Sequence, residues 1–281
     1  MNTQQQTVDG GVCNGDAAAD YRRDGHVTVR ELLSPTEVAA MRDAVTAAVQ
    51  RDLDAASVSP LEERDTYGKA FLKHMNLWAR YEEVAEQVLS PQLGRVAADL
   101  MGVEGVRIYH DQALFKEPGG GPTPWHQDQY YWPIDTVNAI TMWLPLVDLH
   151  RDMGMLQFAS GSHRKGYLGH LPISDQSEEV LDNHVREQGY PIVSEPAMRA
   201  GDATFHAGWT LHAAPGNSSG LMREVMTVIW VADGCRVTEP VNPNQARDIT
   251  RWMPGLRPGD AVASELNPLT YSRAKAPVAR K

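Results

Sequence analysis

Two hydrophobic periods follow one another along this chain, and the change from one to the other divides it. Residues 26–33 (HVTVRELL) read as a short strand. Ser34-Pro35-Thr36-Glu37 then predicts a helix start. Ser34 can cap, Pro35 suits the first helical position, and Glu37 completes a capping box. Val38, Met41, Val45, Ala48 and Val49 follow at helical spacing. A second helix is expected over 80–89. A third starts at Ser90-Pro91, with Leu93, Val96, Ala97 and Leu100 on one face and Gly102 as its stop. Residues 60–78 show neither period, and their length and mixed polarity suit a lid.

From residue 105 the period shortens to two. Val106, Ile108, His110, Gln112 and Leu114 alternate with Arg107, Tyr109, Asp111, Ala113 and Phe115, which predicts a strand with two mixed faces. A Gly/Pro loop (EPGGGPTP) interrupts it. Strand-like runs return at 137–148, 153–159, 191–194, 202–207 and 223–233, punctuated by Gly, Pro and Asn. No repeat and no alternation of strands with helices is present. Helices first and short strands afterwards predict an antiparallel sandwich or barrel flanked by helices. Beyond 255 the chain is Pro-rich and is expected to wrap or fray, and residues 1–18 are expected to form a disordered tail before a single domain over 19–281.

Composition narrows the functional classes. The 281 residues carry a formal net charge of −10 with no basic stripe, which disfavours nucleic acid and anionic membranes. No apolar run reaches spanning length, and MNTQQQTVDGGVCNGDAAAD lacks the basic and apolar regions of a secretory signal. Cys13 and Cys235 are the only cysteines and read as free thiols, so the expected compartment is the cytoplasm.

The candidate chemistry centres on His126-Gln127-Asp128. Side chains at i and i+2 of an extended segment point to one side, so an imidazole and a carboxylate can occupy adjacent positions on a metal. One distant His would complete a two-His-one-carboxylate site with positions left for a co-substrate and dioxygen. The pattern recurs at His150-Arg151-Asp152, which joins two strand-like runs ahead of Met153-Gly154 and reads as a surface turn. His126 lies between the Gly/Pro loop and Tyr130-Tyr131-Trp132, as at a cavity mouth. Downstream, GDATFHAGWTLH offers both His206 and His212 as the third ligand. Arg223 opens the apolar strand EVMTVIWV, where a guanidinium needs an anion; that anion is a bound carboxylate or an internal partner such as Asp202 or Glu224.

These segments together resemble the phytanoyl-CoA dioxygenase family of iron(II)/2-oxoglutarate oxygenases, over residues 21 to 233. PTPWHQDQYYWP resembles its metal segment. MWLPLVDLHRDMGMLQFASGSHRKG resembles its strand, turn and Gly-Ser-His segment, and GDATFHAGWTLHAAPGNSSGLMREVMTVIW its distal His followed by Arg. The resemblance implies a double-stranded β-helix (jelly roll) with flanking helices. It implies iron(II) on His126, Asp128 and His212, with 2-oxoglutarate and dioxygen as co-substrates and Arg223 on the distal carboxylate. Trp143 falls where the family lines the co-substrate site, Thr141 shares its strand face, and Gln112 falls on the strand that often faces the inner carboxylate, with Lys73 as a further candidate. His206 then becomes a core or supporting histidine and His163 a structural one, while strand alternation lets His110 reach the pocket, with a satisfied core histidine the preferred reading.

The presence of Asp128 argues against halogenation, and Ala214 stands where some relatives carry a hydroxyl. The expected activity is oxidation of a C–H bond in a small, partly apolar molecule of natural-product biosynthesis, by hydroxylation, cyclisation, desaturation or epimerisation. Tyr130, Tyr131, Trp132, Trp209, His74, Met75 and Trp78 are candidates for the substrate pocket, and the expected assembly is a monomer or homodimer. The other readings are a zinc hydrolase or isomerase on the same ligands and a non-catalytic jelly-roll binding protein.

Overall fold

The computed structural model describes residues 15–55, 59–64 and 66–275. In chain order its elements are α1 (Gly15–Asp24), β1 (His26–Val29), α2 (Pro35–Ala55), α3 (Thr66–Ala70), β2 (Leu72–Met75), α4 (Glu82–Val88), α5 (Pro91–Met101), β3 (Gly105–Lys116), β4 (Thr123–His126) and β5 (Ala139–Pro145). There follow β6 (Leu149–His150), β7 (Gln157–Ala159), α6 (Asp175–Gln188), β8 (Ile192–Ser194), β9 (Ala197–Met198), β10 (Ala203–Ala207), β11 (His212–Ala214), β12 (Arg223–Ala232), α7 (Pro243–Trp252) and β13 (Leu269–Ser272).

The seven-stranded major sheet is ordered β1-β10-β5-β12-β3-β13, with β2 also paired to β3; the minor sheet is β4-β11-β7-β8. Pairing is antiparallel throughout both sheets. The two form the expected jelly roll, and helices cover the outer face of the major sheet. There Val45, Ala48, Val84, Leu93 and Ala97 of α2, α4 and α5 pack with Ile140, Met142, Phe205, Met226 and Trp230 in one buried cluster. Burying each large apolar side chain contributes roughly 1.5–3 kcal/mol.

Local signals worked where they were strong. Glu37 accepts from the Ser34 amide at 2.8 Å, and Ser34 Oγ accepts from the Glu37 amide at 3.3 Å, closing the capping box that starts α2. Gly102 ends α5 at φ 71°, a left-handed conformation that glycine takes without strain.

The structure departs from the sequence reading in several places. Residues 15–18, expected in the tail, open α1; residues 1–14, with Cys13, lie outside the described residues. Leu72–Met75, inside the expected lid, is β2 and pairs with β3 from Leu72↔Phe115 to Met75↔Gln112. Leu269–Ser272, in the expected wrapping tail, is β13 on the same strand.

β3 does not keep one phase. Its register with β12 runs from Ile229↔His110 to Trp230↔Ile108, so Tyr109 is an extra residue and the strand bulges. Val106 and Ile108 therefore pack under the helices, while His110, Gln112 and Leu114 turn into the cavity between the sheets. Gln112 and Ile108 lie on opposite faces, not on the shared face that simple alternation predicts.

Candidate metal centre and its cavity

β4 and β11 of the minor sheet pair so that His126 stands directly opposite His212. Their ring centroids are 4.0 Å apart. Gln127 is extended, at φ −120° and ψ 124°, and Asp128 begins the short turn after it, so the carboxylate comes round to the two rings. Asp128 Oδ1 lies 3.7 Å from Nε2 of each histidine. One donor atom from each of the three lies within 4.8 Å of the other two, the only such group among the described residues.

Hydrogen bonding fixes the tautomers. His126 Nδ1 lies 2.8 Å from the Pro124 carbonyl and His212 Nδ1 lies 2.9 Å from the Thr210 carbonyl. A carbonyl only accepts, so each Nδ1 carries the proton and each Nε2 lone pair faces Asp128. Burial first, and the neighbouring imidazole next, push His126 down to about 3 and His212 down to about 4. Burial would raise the Asp128 carboxyl, but His212, which becomes charged in acid before the carboxylate is protonated, and the hydrogen bond from His206 outweigh it and hold it below the usual carboxylate range. Two neutral imidazoles and one carboxylate are the protonation states a divalent cation requires.

His206 and Thr141 serve the carboxylate. They are direct partners across β10 and β5. The Thr141 hydroxyl donates to Asp128 Oδ2 at 2.8 Å, and His206 Nε2 donates to the same oxygen at 3.1 Å. Thr141, expected beside the co-substrate, thus bonds to the carboxylate itself. Ser162 of the Gly-Ser-His segment accepts from the Leu211 amide at 2.9 Å and steadies the entry to β11, while His163 lies 3.2 Å from the Arg22 carbonyl, away from the centre.

Arg223 is 1% exposed at the start of β12. Neither expected internal partner is available, because Asp202 pairs with Arg30 and Glu224 with Arg42. Arg223 Nη1 donates to the Gly154 carbonyl at 2.6 Å, Nε has no partner, and the guanidinium lies 5.5 Å from the Trp143 ring. Burial pushes its pKa down to about 9. Gly154 sits at φ 78°, and a Cβ there would lie 2.6 Å from the Pro215 carbonyl, so this position needs glycine. Lys116, directly opposite Arg223 on β3, was not singled out from the sequence. Burial and then the charge of Arg223 push it down to about 6.

His126, Asp128, His212, His206, Thr141 and Arg223 all border one cavity of about 1280 Å³, which Gln112, Trp143, Thr227 and Lys73 also line. Of the expected pocket residues, Met75, Tyr131 and Trp132 line it; Tyr130, Trp209, His74 and Trp78 do not. His74 is instead held 3.0 Å from Asp52. His110, read as a core histidine, is buried but borders the cavity. His150 ends β6 and Asp152 lies in the helical turn that follows; both are exposed. α7, which the sequence reading missed, supplies Asn244, Arg247, Asp248, Arg251 and Trp252; its signal was Asn242-Pro243, and the Asn242 side chain does cap the Gln245 amide at 3.0 Å.

Burial also sets a pH response. His26, His110, His126 and His212 are all lowered, to about 4, 3, 3 and 4, with burial the main cause in each. Between pH 6.5 and these values the unfolded chain binds protons there that the folded chain does not, so stability falls as pH falls. Asp111 and Asp248, raised to about 7 by burial, act in the opposite sense between 3.8 and 7. Four groups outweigh two. Metal-free protein is expected to melt at a lower temperature at pH 4.5 than at pH 7, and an equal or higher melting point at pH 4.5 would contradict this balance.

Comparison with known proteins agrees with this geometry. The family profile described as phytanoyl-CoA dioxygenase (PhyH) matches residues 21–225. A probable alpha-ketoglutarate-dependent hypophosphite dioxygenase from Stutzerimonas stutzeri is 21% identical, over 76% of this chain and 77% of that protein. Among solved structures, the non-heme alpha-ketoglutarate-dependent carbocyclase SnoK from nogalamycin biosynthesis superposes with a TM-score of 0.72 at 26% identity, over 92% of this chain and 96% of SnoK. The epimerase SnoN from the same biosynthesis gives 0.71 at 27% identity, over 91% and 97%. With more than half its length matched, this chain belongs to the phytanoyl-CoA dioxygenase family.

Proposed function

We propose that this protein is an iron(II)- and 2-oxoglutarate-dependent oxygenase that acts on a C–H bond of a small, partly apolar molecule in natural-product biosynthesis. One observation carries the reading. A fully buried guanidinium with no carboxylate partner among the described residues shares a cavity with two Nε2 lone pairs and an ionised carboxylate. A buried cation of this kind calls for an anion, and a dicarboxylate that reaches the metal supplies it. A zinc hydrolase on the same ligands leaves Arg223 without a counter-charge.

His126, Asp128 and His212 hold the iron. Arg223 takes the distal carboxylate of 2-oxoglutarate, with Trp143 against its guanidinium and Gln112 on the facing strand. Thr141 and His206 orient Asp128 through Oδ2, and Thr141 also borders the cavity in which the co-substrate lies. When bound, iron, 2-oxoglutarate and dioxygen supply the power to remove hydrogen from an unactivated carbon, with succinate and carbon dioxide as co-products. The apolar walls of the cavity keep water from the reacting centre and place one C–H bond at it. Carbocyclisation and epimerisation, named for SnoK and SnoN, fall within the outcomes open to such a centre.

The proposal extends to a single catalytic domain over 19–281, working in the cytoplasm as a monomer or homodimer, without nucleic acid or membrane partners. A net charge of −10 supports it, as does the lack, among the described residues, of a helix long and apolar enough to cross a membrane. The test is an anaerobic titration of metal-free protein with iron(II) and then 2-oxoglutarate, followed by admission of air. A visible charge-transfer band and iron-dependent succinate are expected. Folded protein that gives no band, or turnover sustained by zinc alone, rejects the reading.

A further inference from the structure

The Arg223 guanidinium donates to the Gly154 carbonyl, so its place depends on what holds Gly154. A Cβ at Gly154 would lie 2.6 Å from the Pro215 carbonyl oxygen and 3.2 Å from Lys116 Cδ, so the turn rests directly against both. Lys116 is fully buried and is the partner of Arg223 across β3 and β12. Its Nζ donates to two backbone carbonyls, that of Gly121 and, at 3.3 Å, that of Pro215.

Those carbonyls lie at the ends of the two strands that carry the metal histidines. Gly121 leads into β4, which ends with His126, and Pro215 follows β11, which begins with His212. The β4–β11 ladder stops at Ala214↔Thr123, and just beyond that pair Lys116 bridges the two chains. Asn217 braces the same loops: its amide donates to the Gly120 carbonyl at 2.9 Å and its side chain to the Lys116 carbonyl at 3.0 Å. Gly120 leaves room for the lysine stem, since a Cβ there would lie 2.9 Å from Lys116 Cγ. One side chain therefore joins the strands of His126 and His212 to the turn that holds Arg223. Lysine is almost never buried this completely, and here its amine is spent on backbone alone.

We propose that Lys116 is a positioning residue that sets the length of co-substrate this enzyme accepts, by fixing Arg223 at one distance from His126 and His212. The proposal rests on the oxygenase reading and adds to it what measures the co-substrate. A 2-oxo acid chelated at the metal reaches Arg223 only if its chain has the matching length. One methylene too many must displace the guanidinium or the Gly154 turn behind it, and Lys116 holds the backbone against which that turn rests. An amine donates to two carbonyls whether it is charged or neutral, so the device does not depend on its protonation. Without the amine, both carbonyls lose this donor and the turn is free to shift.

The test is optical titration of iron(II)-loaded protein under argon with three 2-oxo acids. These are 2-oxoglutarate, 2-oxoadipate, which is one methylene longer, and pyruvate, which has no distal carboxylate. Binding is read from the charge-transfer band, and melting of the ligand-free protein reports separately on the fold. Absence of the band in wild type rejects the oxygenase reading itself. Wild type is expected to prefer 2-oxoglutarate over 2-oxoadipate by about tenfold or more, the usual worth of one methylene in a fitted site. Lys116→Met is expected to lose about tenfold in 2-oxoglutarate affinity and to reduce that preference to about threefold or less, with pyruvate binding unchanged. Lys116→Gln, which keeps an N–H donor, is expected to fall between the two, and it serves the same comparison if the methionine variant does not fold. A wild type without the preference overturns the proposal. So does a variant that keeps the wild-type preference, or one that loses affinity for all three acids by the same factor, because Lys116 then supports the fold without measuring the co-substrate.

Discussion

Asp128→Ala is expected to lower iron(II) affinity by at least ~100-fold and to abolish succinate formation. Loss of a group that merely orients a ligand costs about 10–100-fold in metal affinity, and Asp128 is a ligand in its own right. It is also the one anionic donor of the three. Without it, two neutral imidazoles face a doubly charged ion. The damage spreads outward, because the Thr141 hydroxyl and His206 Nε2 both donate to Asp128 Oδ2 and would be left as buried donors without an acceptor. Asp128→Asn separates the two effects: it keeps the shape and an acceptor oxygen but removes the charge, and should fall close to the alanine variant in iron binding while melting near wild type. An alanine variant that binds iron as wild type does would remove Asp128 from the centre.

Arg223→Leu should have opposite effects on affinity and on stability. Binding of 2-oxoglutarate is expected to weaken by roughly 30- to 1,000-fold, the range for losing a buried charge-assisted pair worth about 2–4 kcal/mol. The free protein is expected to gain stability, because leucine replaces a cation that burial already disfavours and that is met only by the Gly154 carbonyl and the Trp143 ring. Calorimetry with and without 2-oxoglutarate reads both effects. Wild type should show a ligand-dependent rise in melting temperature that the variant lacks. Arg223→Lys should recover part of the affinity but not all of it, since an ammonium lacks the planar fork that matches a carboxylate. A leucine variant that binds 2-oxoglutarate within threefold of wild type would assign the buried cation to packing alone.

The sequence was most readable where a local rule decides the structure. Ser34 and Glu37 cap one another within a single turn, Gly102 ends its helix by its own backbone, and β12 reads as a nearly continuous apolar run because both its faces are buried. β2 and α6 lacked such signals, and α7 offered only its Asn242-Pro243 cap. Leu72–Met75 holds a lysine and a histidine on a sheet edge, and α7 has only Ile249 and Trp252 as large apolar residues in a polar run. Within the site, the spacing of His126 and Asp128 was visible, and the resemblance chose His212 over His206. What was not visible is that His206 and Thr141 stand opposite each other on β10 and β5 and reach the same oxygen. The reason is the chain separation of sixty-odd residues between them, across which no periodicity carries information.

The extra residue at Tyr109 has a further consequence for how such an enzyme can diversify. Because β3 changes phase there, the residues that support the helices upstream and those that face the cavity downstream belong to different registers. Substitutions at His110, Gln112 and Leu114 alter the shape and polarity offered to a substrate while Val106 and Ile108 stay under the helices. Specificity and foldability are thereby made partly separable within a single strand, which gives a lineage room to change its substrate without first losing its scaffold.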